Sequence, residues 1–229
     1  MIGPKLLKKI PFLSALAPAH LREVYRIARE VPVRAGRPVF VKREDAQGMF
    51  VVLEGRVKIF SNSAGKKRKT FAYLRRGEFF GEMALVSGVT RTASAQAVED
   101  SRLLLIRKRD FQSLLKRDPR LCLYLLRTVC ERLRQANEAV EGMLFRNVLG
   151  RVAKAMMDLG RTAGKARNGG FILQDRFTQQ ELADVVGTTR EPCTRALSSL
   201  KRAGLIAITK EGRYAIPDAR RLAGLCSND

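Results

Sequence analysis

Two stretches of the chain carry residue types whose spacing could do chemistry. In the first, Gly77-Glu78-Phe79-Phe80-Gly81-Glu82-Met83-Ala84-Leu85 is followed by Ser87-Gly88-Val89-Thr90-Arg91-Thr92-Ala93-Ser94-Ala95. Glycines let backbone N–H groups approach an anion closely, and Arg91, ten residues after Gly81, can neutralise one. Glu82, if folded near that arginine, suits a sugar hydroxyl, as carboxylates do in nucleotide sites. A tight turn between strands would use similar residues, so the pattern alone leaves both readings open.

The second stretch runs from Thr178 to Leu200. Thr178 with Glu181 three residues later has the form of a capping box, Leu182, Val185 and Val186 give an apolar face, and Gly187 ends the helix. Thr189 can cap a second helix, with Pro192 in its first turn, where a missing N–H costs little. Two short helices joined by a glycine turn read as a DNA-binding helix-turn-helix. Its second helix would present Arg190, Glu191, Thr194 and Arg195 to base edges in the major groove, with Ala196, Leu197 and Leu200 facing the core. Arginine can bridge the two acceptors of guanine, and glutamate can accept from the amino group of cytosine. Gly204–Ile208 and Arg213–Ile216 then read as a hairpin wing whose tip residues Lys210 and Arg213 could touch phosphates. Thr178, Gln179 and Thr189, at the helix starts, complete the expected DNA-contact set. A plain helical hairpin with solvated charges is the competing reading.

Other chemistry has little material. His20 is the single histidine, and Cys122, Cys130, Cys193 and Cys226 show no C-x-x-C spacing. A zinc site, an iron–sulfur cluster and haem ligation are therefore not expected, and most of the thiols read as small buried hydrophobes. With no Ser/His/Asp set, no metal constellation and no Walker loop, an enzyme is not expected either.

The elements that must position these residues fall into three segments: 1–117, 118–148 and 149–229. Residues 18–30 have helical spacing. Short β-rich runs follow at Val31–Val33, Pro38–Val41, Met49–Leu53, Val57–Phe60, Thr70–Leu74, Thr92–Ala95 and Arg102–Ile106. Turn signals separate them at Gly36, Gly48, Gly55, Ala64-Gly65 and Gly77. Many short strands so punctuated predict a barrel or sandwich. Asp110–Lys116 reads as a short helix closed by Asp118-Pro119. Beyond it Cys122, Leu126, Val129, Leu133, Ala136, Val140 and Met143 recur at steps of four and three, a coiled-coil seam. One chain holds no second such helix, so the seam predicts a twofold homodimer; the competing reading buries it against the chain's own barrel. Arg151–Leu159 is amphipathic, and Gly160–Gly170 reads as a basic, Gly-rich loop.

The chain's net charge is +22 over 229 residues, which predicts a polyanionic partner, nucleic acid before a membrane surface. Residues 1–117 hold 25 Lys+Arg against 10 Asp+Glu, whereas residues 150–229 hold 14 against 8. The basic first half predicts DNA bending toward it. No apolar run is long enough for a membrane span and no cleavage site follows the basic N-terminus, so a cytoplasmic protein with no membrane partner is expected.

The order of a strand-rich half, a long helix and a helix-turn-helix resembles the CRP/FNR regulator family across nearly the whole chain. Gly81-Glu82-Met83-Ala84-Leu85 with Arg91-Thr92-Ala93 resembles the family's phosphate-binding cassette, and Arg190-Glu191 with Arg195 resembles the recognition helix of catabolite-activator-type members. The resemblance implies an α+β architecture: a double-stranded β-helix or jelly-roll sensor barrel, a dimerisation helix and a C-terminal winged helix-turn-helix. It implies that Glu82 meets a ribose 2′-hydroxyl, that Arg91 pairs with a cyclic phosphate and that Thr92 bonds near it. Gly81, Met83 and Ala84 belong to the same cassette, and Ala136 and Asn137 stand at the family's base-contacting positions. It further implies double-stranded DNA with TGTGA-like half-sites, and RNA polymerase, as partners. Two departures stand out: members responding to cyclic AMP usually carry threonine at the Ala136 position, and Arg43 replaces a common glycine. Cyclic AMP, cyclic GMP, a cyclic dinucleotide or no ligand remain open.

Overall fold

In the computed structural model, residues 7–8, 10–14, 16–63 and 68–226 are described. The expected turn at Ala64-Gly65 and most of the basic N-terminal run lie outside them. The chain forms two compact units, one of Met1–Ser61 with Phe71–Leu133 and one of Asn62–Thr70 with Arg134–Asp229.

The first unit opens with two helices, α1 (Pro11–Ser14) and α2 (Pro18–Ile27). The strands follow: β1 (Arg29–Val33), β2 (Pro38–Phe40), β3 (Gly48–Glu54), β4 (Val57–Asn62), β5 (Arg68–Leu74) and β6 (Phe79–Phe80). The short helix α3 (Glu82–Ser87) precedes β7 (Ser94–Ala97), β8 (Ser101–Arg107) and α4 (Lys108–Arg117). The helix α5 (Pro119–Phe145) comes last and carries the chain into the second unit. Hydrogen bonding divides the expected barrel into two four-stranded antiparallel sheets, ordered β1-β8-β3-β6 and β2-β7-β4-β5.

Strand β3 shows why its sequence is continuously apolar rather than alternating. Phe50 and Val52 pack with Phe40, Val57, Phe80 and Leu103 in one cluster. Met49, Val51 and Leu53 join a second cluster with Leu21, Val24, Phe111, Leu114, Leu121 and Leu125 from the helices. A strand covered on both faces needs no polar positions.

Several boundaries differ from the sequence reading. Helix α2 stops at Ile27, and β1 begins two residues earlier than its apolar run. The strand expected at Thr92–Ala95 is shifted to Ser94–Ala97, because pairing with β4 sets Phe60 against Ser94 and Val57 against Ala97. The cysteines also depart from expectation: Cys122 and Cys130 are exposed on α5, and Cys226 is half-buried. Only Cys193 is fully buried, and burial pushes its thiol up to about 11, leaving it unreactive.

Asp118 links α4 to α5 and holds the start of α2. Its carboxylate accepts from the Ala17 N–H (3.1 Å), from the Arg120 N–H (3.2 Å) and from Arg120 Nε (3.2 Å), and His20 Nδ1 lies 3.1 Å away. Burial opposes the charge, but these hydrogen bonds outweigh it and hold the carboxyl well below the usual carboxylate range. Arg43 takes a left-handed conformation (φ 77°) that favours glycine, and its N–H donates to the Arg91 carbonyl at 2.8 Å.

In the second unit, α6 (Val148–Ala163) is capped by Asn147, whose side chain accepts from the Gly150 N–H. The segment expected as a loop is the end of α6 followed by a hairpin, β9 (Gly164–Arg167) and β10 (Gly170–Leu173). Helices α7 (Gln179–Val186) and α8 (Arg190–Arg202) follow, then β11 (Ala207–Ile208), β12 (Tyr214–Ile216) and α9 (Ala219–Ala223). The strands form one sheet, ordered β11-β12-β10-β9. Val152, Met156, Leu173, Leu182, Leu197, Leu200 and Ile216 are among its buried side chains. Among the described residues no helix is long and apolar enough to cross a membrane.

Two measurements check these local arguments. Because the Asp118 carboxyl is depressed when folded, its stabilisation is present above the unfolded value of about 3.9 and lost as pH falls below it. Urea midpoints taken down the acid limb should therefore fall more steeply for the wild type than for Asp118→Asn. Arg43→Gly relieves a left-handed side chain at the cost of a looser unfolded chain, and thermal unfolding should show a net gain of up to about 1 kcal/mol.

Candidate functional site

Strand β6 delivers the chain to Gly81, which sits at φ 84° with Arg91 against it. A Cβ there would lie 2.5 Å from Arg91 Nη1, so both conformation and space require glycine. Arg91 is 4% exposed, and its guanidinium lies 4.0 Å from the Phe40 ring centroid. It donates from Nη1 to the Gly81 carbonyl (2.8 Å) and from Nη2 to the Gly48 carbonyl (2.7 Å), while Nε is buried with no partner among the described residues. Burial lowers its pKa and the Glu44 and Glu82 carboxylates oppose that; a guanidinium there stays charged.

Glu82 is 1% exposed and opens α3. Its Oε1 accepts from Arg132 Nη1, and Arg132 Nη2 donates to the Phe79 carbonyl at 2.7 Å. Its Oε2 is buried with no partner among the described residues. Burial pushes the carboxyl up, against the pull of Arg132, its own backbone N–H and Arg91. A buried acceptor and a buried cation, each with an unpaired atom, suit a ligand carrying hydroxyl and phosphate groups.

The cassette residues separate into two sets. Gly81, Glu82 and Arg91 come together, and Ala84 is buried beside them in sequence. Met83 is half-exposed and Thr92 exposed. Ala136 and Asn137 are exposed on α5. Arg132, four residues before Ala136, was not legible as a site residue: it lies off the apolar seam, and its partner is 50 residues away. Phe40 and Phe50, which flank Arg91, read in the sequence only as strand core.

In the second unit the capping box forms in full. The Glu181 N–H donates to Thr178 Oγ1 (3.1 Å), and Glu181 Oε2 accepts from the Thr178 N–H (2.8 Å). Gly187 ends α7 at φ 78°. Thr189 holds the cap position of α8 but makes no side-chain cap bond, contrary to expectation; its carbonyl accepts from the Cys193 N–H. Cys193, Ala196, Leu197 and Leu200 are buried, which leaves Arg190, Glu191 and Arg195 exposed and Thr194 half-buried. Glu191 and Arg195 form an ion pair one turn apart, and Thr194 Oγ1 lies 2.9 Å from Gln179 Oε1. Lys210 and Arg213 are exposed at the wing tip.

Comparison with known proteins follows this division. Residues 30–118 match the family model of the cyclic nucleotide-binding domain, and residues 150–225 match that of the Crp-like helix-turn-helix domain. The chain is 32% identical over 202 residues to the "Cyclic AMP receptor protein" of Thermus thermophilus, covering 88% of this chain and 90% of that one. It is 26% identical over 220 residues to the "CRP-like cAMP-activated global transcriptional regulator" of Mycobacterium tuberculosis, covering 96% and 97%. The solved structure of FixK2 from Bradyrhizobium japonicum shares the fold, with a TM-score of 0.76 at 22% identity over 89% of this chain and 99% of that one. The two matched domains define a transcription regulator that joins a cyclic nucleotide-binding fold to a DNA-binding helix-turn-helix. The chain belongs to the CRP/FNR family.

The Glu82–Arg132 contact carries a measurable charge balance. Arg132→Leu leaves the carboxyl buried without its counter-charge and should destabilise the protein by about 1–3 kcal/mol, with solvent at the part-exposed guanidinium moderating the loss. The loss should grow as pH rises, because a carboxyl whose folded pKa is raised is then forced to ionise in place. Combining it with Glu82→Gln should recover most of the difference in urea unfolding.

Proposed function

We propose that the protein is a homodimeric, sequence-specific DNA-binding regulator whose affinity for DNA is gated by a cyclic nucleotide in the cassette. The observation that carries the gating is the pair of unpartnered buried atoms, Glu82 Oε2 and Arg91 Nε. Native proteins rarely leave charged groups so placed unless something completes them. Glu82 would accept from the ribose 2′-hydroxyl and Arg91 would hold the cyclic phosphate, with the Gly81–Ala84 backbone and Thr92 beside it. The bound nucleotide supplies one negative charge and a hydroxyl donor. Arg91 and Arg132 would then exchange some of their present contacts, with Gly81, Gly48 and Glu82, for that ligand. Such an exchange favours one arrangement over another only through differential contacts. Ala136 offers no hydrogen-bonding side chain, and cyclic AMP, cyclic GMP and cyclic dinucleotides are all ligands to test.

The dimer is supported by α5. Leu126 (59%), Leu133 (60%) and Val140 (56%) are exposed, with Cys122, Val129 and Met143 on the same seam. An apolar stripe of that length open to water is an association surface. A twofold pair of α8 helices about one DNA turn apart would read a palindrome with TGTGA-like half-sites. Recruitment or exclusion of RNA polymerase belongs to the same reading.

A second reading has its own support: Arg91 already donates to two carbonyls, as a scaffold residue would. In that case the regulator binds DNA without a ligand. Calorimetry of the dimer against the three ligand types separates the readings. Heat with one of them, tighter operator binding and loss of both in Arg91→Ala support gating; no heat and unchanged DNA affinity support the second.

On sites selected from random DNA, Arg190→Ala should cost about 1–3 kcal/mol and relax the base preference. Equal affinity of the wild type for selected and scrambled duplex at physiological salt would overturn the specific reading. Leu133→Glu should give monomers in sedimentation and weaken operator binding.

A further inference from the structure

The four-stranded sheet of the second unit has one face packed and one open. Phe171 and Ile216 face α6: a Cβ on Gly160 would lie 2.9 Å from Phe171 Cδ2 and 3.1 Å from Ile216 Cδ1. Side chains alternate across a strand, so their neighbours point the other way. The register sets Lys165 opposite Ile172, Ile172 opposite Ala215, and Ala215 opposite Ala207, a row across all four strands on the outer face. Ile172 and the two alanines make a low floor. Around it stand Lys165 and Arg167 on β9, Gln174 just past β10, and Lys210 and Arg213 on the turn between β11 and β12. Ile172 and these polar side chains, with Thr209 and Glu211, line a hollow of about 500 Å³.

Four cations line this hollow against one carboxylate, Glu211. Thr209 and the charges of Arg213 and Arg176 hold the Glu211 carboxyl below its ordinary range, so it stays an anion among the cations. Arg176 stands beside Gly212, its Nε 4.0 Å from where a Cβ would be, so the basic rim runs from the sheet to the segment that opens α7. Nothing in the α8 reading uses Lys165, Arg167 or the floor between them.

We infer that this outer face is a second DNA-binding surface, taking the sugar-phosphate backbone of duplex that lies outside the half-site read by α8. The inference rests on the helix-turn-helix reading for the presence of duplex, and on the sheet for the rest. Lys165 and Arg167 are two residues apart on an extended strand, about 6.6 Å, close to the spacing of successive phosphates along one DNA strand. Gln174 and Thr209 add neutral hydrogen-bonding groups of the kind that fix backbone register. A shallow floor with charges at its rim suits a polyanion lying across it. It offers no deep apolar pocket for the anchoring side chain of an acidic peptide.

The test uses the full-length protein and a selected operator in two lengths. One is trimmed to its half-sites; the other carries one further helical turn, about ten base pairs, on each side. The log–log salt slope should be steeper on the longer duplex, by about 0.9 for each added phosphate contact. Lys165→Ser with Arg167→Ser, both exposed, should cancel most of that added slope and lower affinity for the long duplex several-fold. Binding to the trimmed operator should be unchanged, and thermal unfolding of the variant should match the wild type.

Equal slopes on the two lengths, or equal losses on both in the variant, would overturn the inference. So would unchanged DNA binding with a transcription defect, which would assign the face to an acidic protein. Failure of the α8 reading shows separately, as equal affinity for selected and scrambled cores. The difference between long and short duplex still decides the role of the sheet in that case.

Discussion

Moving a carboxylate out of water costs several kcal/mol unless a counter-charge and hydrogen bonds go with it. Glu82 meets that cost with Arg132, and Arg91 meets its own with two carbonyls and the face of Phe40. The cassette is therefore not a free loop. Its backbone is held because two guanidinium groups donate to nearby carbonyls, Arg91 to those of Gly81 and Gly48 and Arg132 to that of Phe79. Phe79 is held in turn by Phe12 and Tyr124, at ring separations of 4.5 and 6.2 Å. Any polar ligand entering here would complete Glu82 Oε2 and Arg91 Nε but compete with contacts already made, so its binding energy would be a difference between two networks. That is the condition under which a small molecule can change an equilibrium instead of filling a hole.

The same pairing ties α5 to the cassette. Arg132 is on that helix, and the apolar seam runs past it on another face, from Cys122 to Met143. One helix thus carries a charge answering the cassette and an apolar stripe open to water. Each turn of α5 serves one or the other by its position around the axis, which is why Leu133, one residue from Arg132, is 60% exposed.

How much of this was legible in the sequence depends on how local each signal is. The capping box needs only Thr178 and Glu181, three residues apart, and it forms as read. The glycine turn at Gly187 and the α5 seam are equally local. The β9–β10 hairpin was not legible, because Gly164-Lys165-Ala166-Arg167 has no β-branched or aromatic residue. It is a strand because β10 pairs with it and Phe171 packs on α6 from the next strand. Helix α3 is six residues long, too short for periodicity to declare itself. The role of Arg132 depends on a contact across 50 residues, and a single sequence carries no trace of such a pairing. Exposure of Cys122 and Cys130 runs against residue type, which favours burial: Cys122 stands on the apolar seam of α5, which is open in one chain, and Cys130 follows Val129 of that seam.

The distribution of charge around α8 separates two tasks that a DNA-binding surface must perform. Discrimination needs few groups in fixed positions, and on α8 Glu191 and Arg195 form an ion pair one turn apart. That pair also cancels charge, so α8 gains geometry at the expense of long-range attraction to phosphate. Attraction needs many cations and little geometry, and it is better supplied by residues that need not read a base. The outer face of the wing sheet, with Lys165, Arg167, Lys210 and Arg213 around a floor of small side chains, has that character. On the two proposed readings, base recognition and backbone affinity fall on different elements of one unit, and a substitution in either leaves the other measurable.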